Sequence, residues 1–168
     1  MGKKLPVAID EEEFTELIDA TKSEHHKVAF LLGYGAGMRV SEVVKLEPRD
    51  IDFKERKILI RQGKGSKDRI VPLPEQLKPK HLEFIPIKCG ARALQIAFKN
   101  ALEGSGLNKT KPDAHFHSLR HGFATQCVKK GMPIHHIRTL MGHTNISTTN
   151  VYLEANPKEA LKSYAELF

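Results

Sequence analysis

The feature that most constrains this chain is a change of pattern at Asp50. On either side of the stretch from Asp50 to Pro72, apolar residues recur at helical spacing. Within it, Asp50 to Phe53, Lys57 to Arg61 and Arg69 to Pro72 read as three short strands. Lys54-Glu55-Arg56 joins the first pair. Gly63-Lys64-Gly65-Ser66-Lys67 joins the second, and glycines flanking a lysine suit a tight hairpin tip. The expected fold is therefore α+β, mainly helical, with one small three-stranded antiparallel sheet inserted.

The helices have readable ends. Asp10 is placed to cap a first helix through about Thr21, with acids in its first turn. A more buried helix follows from about His25 to Tyr34, and Gly33, Gly35 and Gly37 then loosen the chain ahead of Arg39. Ser41 and Glu42 begin a short third helix that ends near Leu46, before Pro48. After a proline-marked stretch from Pro72 to Pro86, helices are expected over about Gly90–Glu103, His117–Lys130, Ile134–Met141, Ser147–Leu153 and Pro157–Leu167. Pro133 and Pro157 fall near helix starts, where a missing N–H costs least.

The 168 residues suit one ordinary domain. Lys plus Arg number 27 against 20 acids, and the formal charge of +7 favours a polyanionic partner such as nucleic acid, or an anionic membrane surface. No apolar run is long enough to span a bilayer, and the first residues lack the apolar core of a signal peptide. The reading is a cytoplasmic protein found with DNA. Cys89 and Cys127 suggest two reduced thiols, with no metal-type cluster and no disulfide framework.

Four segments carry residues fit for chemistry on a phosphate. In His117-Ser118-Leu119-Arg120 the outer two share a helix face, a bidentate anion clamp beside a group that shuttles protons. In Gly37-Met38-Arg39-Val40-Ser41-Glu42, Arg39 stands at a helix N-terminus, and Glu42 one turn on can orient its guanidinium. Lys64 at the hairpin tip can reach into a groove and give a proton to a leaving oxygen. Leu140-Met141-Gly142-His143 leads after Thr148-Thr149 to Tyr152. Each element alone equally suits an ordinary surface or core role.

In order, however, Gly37 to Glu42, Gly63 to Arg69, His117 to Thr125 and Met141 to Tyr152 resemble the tyrosine recombinases, the Xer-like, phage-type integrases. The resemblance spans nearly the whole chain. It implies site-specific DNA recombination or integration without ATP or any cofactor. Tyr152 would attack a phosphodiester to form a 3′-phosphotyrosyl link, with Arg39 and Arg120 neutralising the non-bridging oxygens. His143 would add a hydrogen bond to the same oxygens, Lys64 would protonate the departing 5′-oxygen, and His117 would help remove the tyrosine proton. Glu42 and His121 would support this set from behind. Double-stranded DNA is the implied partner, with a tetramer on DNA and a C-terminal helix that docks on a neighbouring protomer. The Leu161, Tyr164 and Leu167 stripe suits that docking and packing on its own domain equally.

Family members usually carry a separate helical clamp domain before the catalytic one. Residues 1–168 are expected to be the catalytic domain without that clamp. Three rivals remain: a type IB topoisomerase-like enzyme, a zinc hydrolase built on His117 and His121, and a DNA-binding relative without activity.

Overall fold

The computed structural model describes residues 5–62, 67–142 and 157–168. Helix α1 (Glu11–Ala20) begins at Asp10, whose carboxylate accepts from the Glu13 N–H at 2.9 Å while the Glu13 carboxylate accepts from the Asp10 N–H at 2.8 Å. This reciprocal cap stabilises the helix by about 1 kcal/mol. Helix α2 (Glu24–Gly35) buries Val28, Ala29, Phe30, Leu32 and Gly33, so it runs through the interior. Helix α3 (Val40–Lys45) follows, as the Arg39 and Glu42 pairing foretold.

Strands β1 (Ile51–Asp52), β2 (Lys57–Ile60) and β3 (Arg69–Pro72) form an antiparallel sheet in that order, with Ile58 opposite both Ile51 and Val71. Ile58, Ile60 and Val71 face the core, which fixes the register because a one-residue slip would turn them to water. Helices α4 (Ala91–Ser105), α5 (His117–Lys129), α6 (Ile134–Met141) and α7 (Pro157–Leu167) complete the domain. The helix expected over 147–153 and the hairpin tip at 63–66 lie outside the described residues.

Most apolar side chains pack into one core under α1 to α5 and the sheet, centred on the mutually tilted rings of Phe30, Phe98 and Phe116. A second, smaller core joins Phe123, Cys127 and Met132 of the α5 region to Ile137, Leu140 and Met141 of α6 and Ala160 of α7. Leu161, Tyr164 and Leu167 pack against that second core, so the apolar stripe of α7 lies on its own domain. The stretch from Pro74 to Gly90 is more structured than its prolines suggested. It holds a 3-10 turn over Pro79–Phe84 and is anchored by buried Leu77, Ile85 and Ile87.

The cysteines need one correction. Cys127 is buried, but Cys89 meets His25 and His26, which were not expected beside it. Only the packing of α2 against the segment before α4 brings them together.

Candidate active site: an arginine cluster between α3, β3 and α5

Glu42, on the first turn of α3, is the centre of a closed ionic network. Its Oε2 accepts from the Arg39 N–H at 2.8 Å and from Arg69 Nη2 at 2.9 Å. Its Oε1 accepts from Arg39 Nη1 at 3.1 Å, from Gln62 Nε2 at 3.2 Å and from Arg69 Nη1. The Glu42 and Arg69 side chains are 8% and 9% exposed, whereas that of Arg39 is 39% exposed. Burial by itself would push the Glu42 carboxyl up. The Arg69 hydrogen bonds and charge, with the Arg39 N–H and Gln62, outweigh it and hold the group at about 2.

Arg69 also donates from Nε to the Leu140 carbonyl at 3.0 Å, tying the start of β3 to the end of α6. Helix α6 ends at Gly142 in the left-handed region (φ 64°), where a Cβ would lie 2.6 Å from Arg69 Cδ. Glycine is therefore required twice over, by the backbone angle and by the guanidinium stem. Arg69 and Gln62 were missed in the sequence reading. Arg69 stands in the Gly63 to Arg69 segment, which drew attention for Lys64 alone, and its partner lies on another element.

Arg120 departs from the expected picture. Rather than sharing an open helix face with His117, it is turned inward and is 1% exposed. Its Nη1 donates to the Gly37 carbonyl at 2.6 Å and its Nη2 to the Met141 carbonyl. Gly37 adopts φ 66°, and a Cβ there would meet Phe123 at 2.6 Å, so this carbonyl is presented by a residue that must be glycine. Among the described residues no carboxylate pairs with Arg120 directly. Burial first, then the charges of Arg39 and Arg69, push its pKa down to about 9, partly opposed by Glu42. It stays cationic at neutral pH.

His117 begins α5 and is exposed to water, with its ring edge-to-face on His121 at 4.7 Å and 6.2 Å from His115. Partial burial, then His121, Arg120, His115 and Arg39, push its pKa down to about 4. The imidazole is therefore neutral at neutral pH. His121 is lowered as well, by burial first and then by His115 and Arg120. Arg39, Glu42, His117, Arg120 and His121 are thus neighbours in one region, with Arg120 turned inward from the rest. Lys64, His143 and Tyr152 lie outside the described residues. Among the described residues, the set of three side chains that converges as metal ligands do is elsewhere, and the zinc reading gains nothing from His117 and His121.

Comparison with known proteins gives a consistent picture. The model of the Phage integrase family matches residues 8–85 and 87–159. A "Tyrosine recombinase" of Thermosipho africanus (strain TCF52B) is 34% identical over 178 residues, covering 98% of this chain and 63% of that protein. A solved XerA recombinase is similar with a TM-score of 0.69 at 27% identity, over 98% of this chain and 66% of that one. A lambda integrase tetramer bound to a Holliday junction shares the fold with a TM-score of 0.64 at 16% identity, over 88% of this chain and 50% of that one. This chain spans about three-fifths of the length of the curated relatives it matches.

Proposed function

This chain belongs to the phage integrase family, the tyrosine recombinases, and we propose that it cleaves and religates double-stranded DNA at specific sites through a phosphotyrosyl link. One observation carries the reading. The guanidiniums of Arg39 and Arg69 bond the carboxylate of Glu42, and that of Arg120 lies near enough to feel all three charges without an ion pair of its own among the described residues. Two positive charges remain over, one of them almost wholly buried. A buried unmatched cation is costly, and a phosphodiester supplies the missing counter-charge.

In this mechanism Tyr152 Oη attacks phosphorus, the 5′-oxygen leaves, and the enzyme keeps the 3′-phosphate as an ester. Arg39 and Arg120 stabilise the charge on the non-bridging oxygens. His117, neutral at neutral pH, takes the tyrosine proton, Lys64 gives one to the departing oxygen, and His143 hydrogen-bonds a non-bridging oxygen. Glu42 holds Arg39 by both backbone and side chain, and His121 packs against His117. Because Arg120 is 1% exposed, phosphate contact requires the surface above it to open. Attack by a second DNA end on the phosphotyrosine reverses the step, with no ATP.

Residues 1–168 are the catalytic domain in this proposal. The active assembly is a tetramer on DNA. The apolar face of α7 would serve a neighbour by exchange of the helix between protomers. The type IB topoisomerase alternative is not favoured by these relatives. Among the described residues no helix is long and apolar enough to cross a membrane.

A nicked duplex that loses its short 5′-hydroxyl strand traps the covalent intermediate. The expected product is a protein–DNA band that survives denaturant and is absent from Tyr152→Phe. Its persistence in that variant would remove Tyr152 from the mechanism. Lys64→Ala should cleave slowly and recover when the leaving oxygen is replaced by sulfur, which needs no acid. Failure to recover assigns Lys64 to binding.

A further inference from the structure

At the N-terminal end of α2, away from the arginine cluster, His25, His26 and Cys89 converge: one ligand atom from each lies within 4.8 Å of the other two. All three are half-buried, so each donor is held by packing yet open on one side. The two imidazoles occupy the first turn of α2 with ring centres 4.2 Å apart, and Cys89 stands just before α4. Two histidine nitrogens and a thiolate are a donor set for borderline and soft cations. Donor atoms around one zinc ion stand roughly 3.3–3.8 Å apart. Side-chain rotations of about an ångström therefore bring this set to bonding geometry.

A second observation concerns the ring of His25. Ser23 Oγ lies 2.7 Å from His25 Nδ1, and in the tautomer whose Nδ1–H donates to the hydroxyl, Nε2 carries the lone pair that a cation takes. Metal-ligating histidines are commonly oriented in this way through their other nitrogen. The nearby Glu24 carboxylate is taken by Lys27 at 2.9 Å, which leaves a further position to water. The helix N-terminus opposes a cation by its partial positive charge, an effect of about 1 kcal/mol or less. The thiolate charge and Glu24 in the same turn offset it. The plainer reading is that Cys89 packs as a small apolar side chain and the histidines lie beside it by chance.

We propose that His25, His26 and Cys89 bind a zinc-class divalent cation that ties the start of α2 to the segment before α4. Binding releases the thiol proton of Cys89 as the sulfur–metal bond forms. From His26 to Gly35 the helix rises roughly 14 Å, which separates the ion from Arg120 and makes it a structural fastening rather than a participant in DNA cleavage.

The direct probe is Co2+ titrated into the whole, metal-stripped chain under reducing conditions. A thiolate-to-cobalt absorption band should appear and be displaced by Zn2+. The band should vanish in Cys89→Ser and in His26→Ala, persist in Cys127→Ser, and weaken in affinity by roughly tenfold or more in Ser23→Ala. Circular dichroism of each variant establishes that it is folded. Absence of the band in the wild-type chain overturns the proposal, whatever the variants do. So does a band that survives Cys89→Ser. Neither outcome bears on the covalent-adduct experiment, which reads Tyr152.

Discussion

Two neighbouring regions treat positive charge in opposite ways. Around Glu42 the carboxylate is matched: both of its oxygens accept from Arg69 and from Arg39, with Gln62 added, and the one surplus charge sits on half-exposed Arg39. Around Arg120 the charge is not: a buried guanidinium rests on two carbonyls, among neighbours that include Arg39, His117 and His121. The first region is complete in the protein alone. The second has no directly paired carboxylate among the described residues, which is where the proposed phosphate contact falls. In the proposed mechanism the matched network builds the site, and the unmatched one beside it acts on the phosphate.

The largest effect should come from the unmatched side. Arg120→Ala is expected to lower single-turnover DNA cleavage by about a thousandfold, the order seen when a group stabilising transition-state charge is removed. Thermal unfolding of the same variant separates that loss from any lost packing. A variant that is folded and cleaves at near the wild-type rate would erase the distinction between the regions.

Next comes the matched side, where the cost falls on stability. Glu42→Ala leaves Arg69 buried without its carboxylate, a loss of about 3–5 kcal/mol. For a chain of this size that lowers the unfolding temperature by at least about 6 °C. Arg39→Ala breaks only the half-exposed pair and should change stability by less than about 1 kcal/mol, while cleavage falls steeply. If Arg39→Ala proves the more destabilising of the two, the network is misassigned.

How much of this could be read from the sequence follows the range of the interactions. The Asp10 cap and the pairing of Arg39 with Glu42 are made within one turn, and both were legible, though the return bond from Glu13 was not read. The strand pattern from Asp50 to Pro72 showed itself through alternation and turn residues. Arg69 was opaque because its partners Glu42 and Leu140 lie on other elements. The inward turn of Arg120 was equally hidden, since a helix face shows its direction only once Gly37 and Met141 are packed over it. His25, His26 and Cys89 meet by the same long-range packing, which spacing cannot show.

A smaller effect is the pH dependence of the matched network. The folded pKa of Glu42, about 2, lies below its ordinary value of 4.5. Its contribution is therefore present above pH 4.5 and is lost as pH falls from there toward 2, amounting to roughly 3 kcal/mol. Acid unfolding of the wild-type chain should show this loss, and Glu42→Gln should lack it. An identical acid limb in both would place the loss elsewhere.

The smallest expected effect is on His117. Its folded pKa, about 4, lies below 6.5, so the folded state resists its protonation as pH falls through that window. A bound phosphodiester should raise the value, and NMR titration of the imidazole with and without DNA reads the shift. No change on DNA binding would put the phosphate away from α5.

The central claim, that Arg120 answers the charge of the phosphate under attack, is tested most directly by removing that charge from the DNA. A substrate with a methylphosphonate at the cleavage position carries no negative non-bridging oxygen. The account predicts that Arg120→Ala, nearly inactive on the phosphodiester, recovers cleavage of the methylphosphonate by about tenfold or more. Equal inactivity on both substrates, in a folded variant, would contradict it.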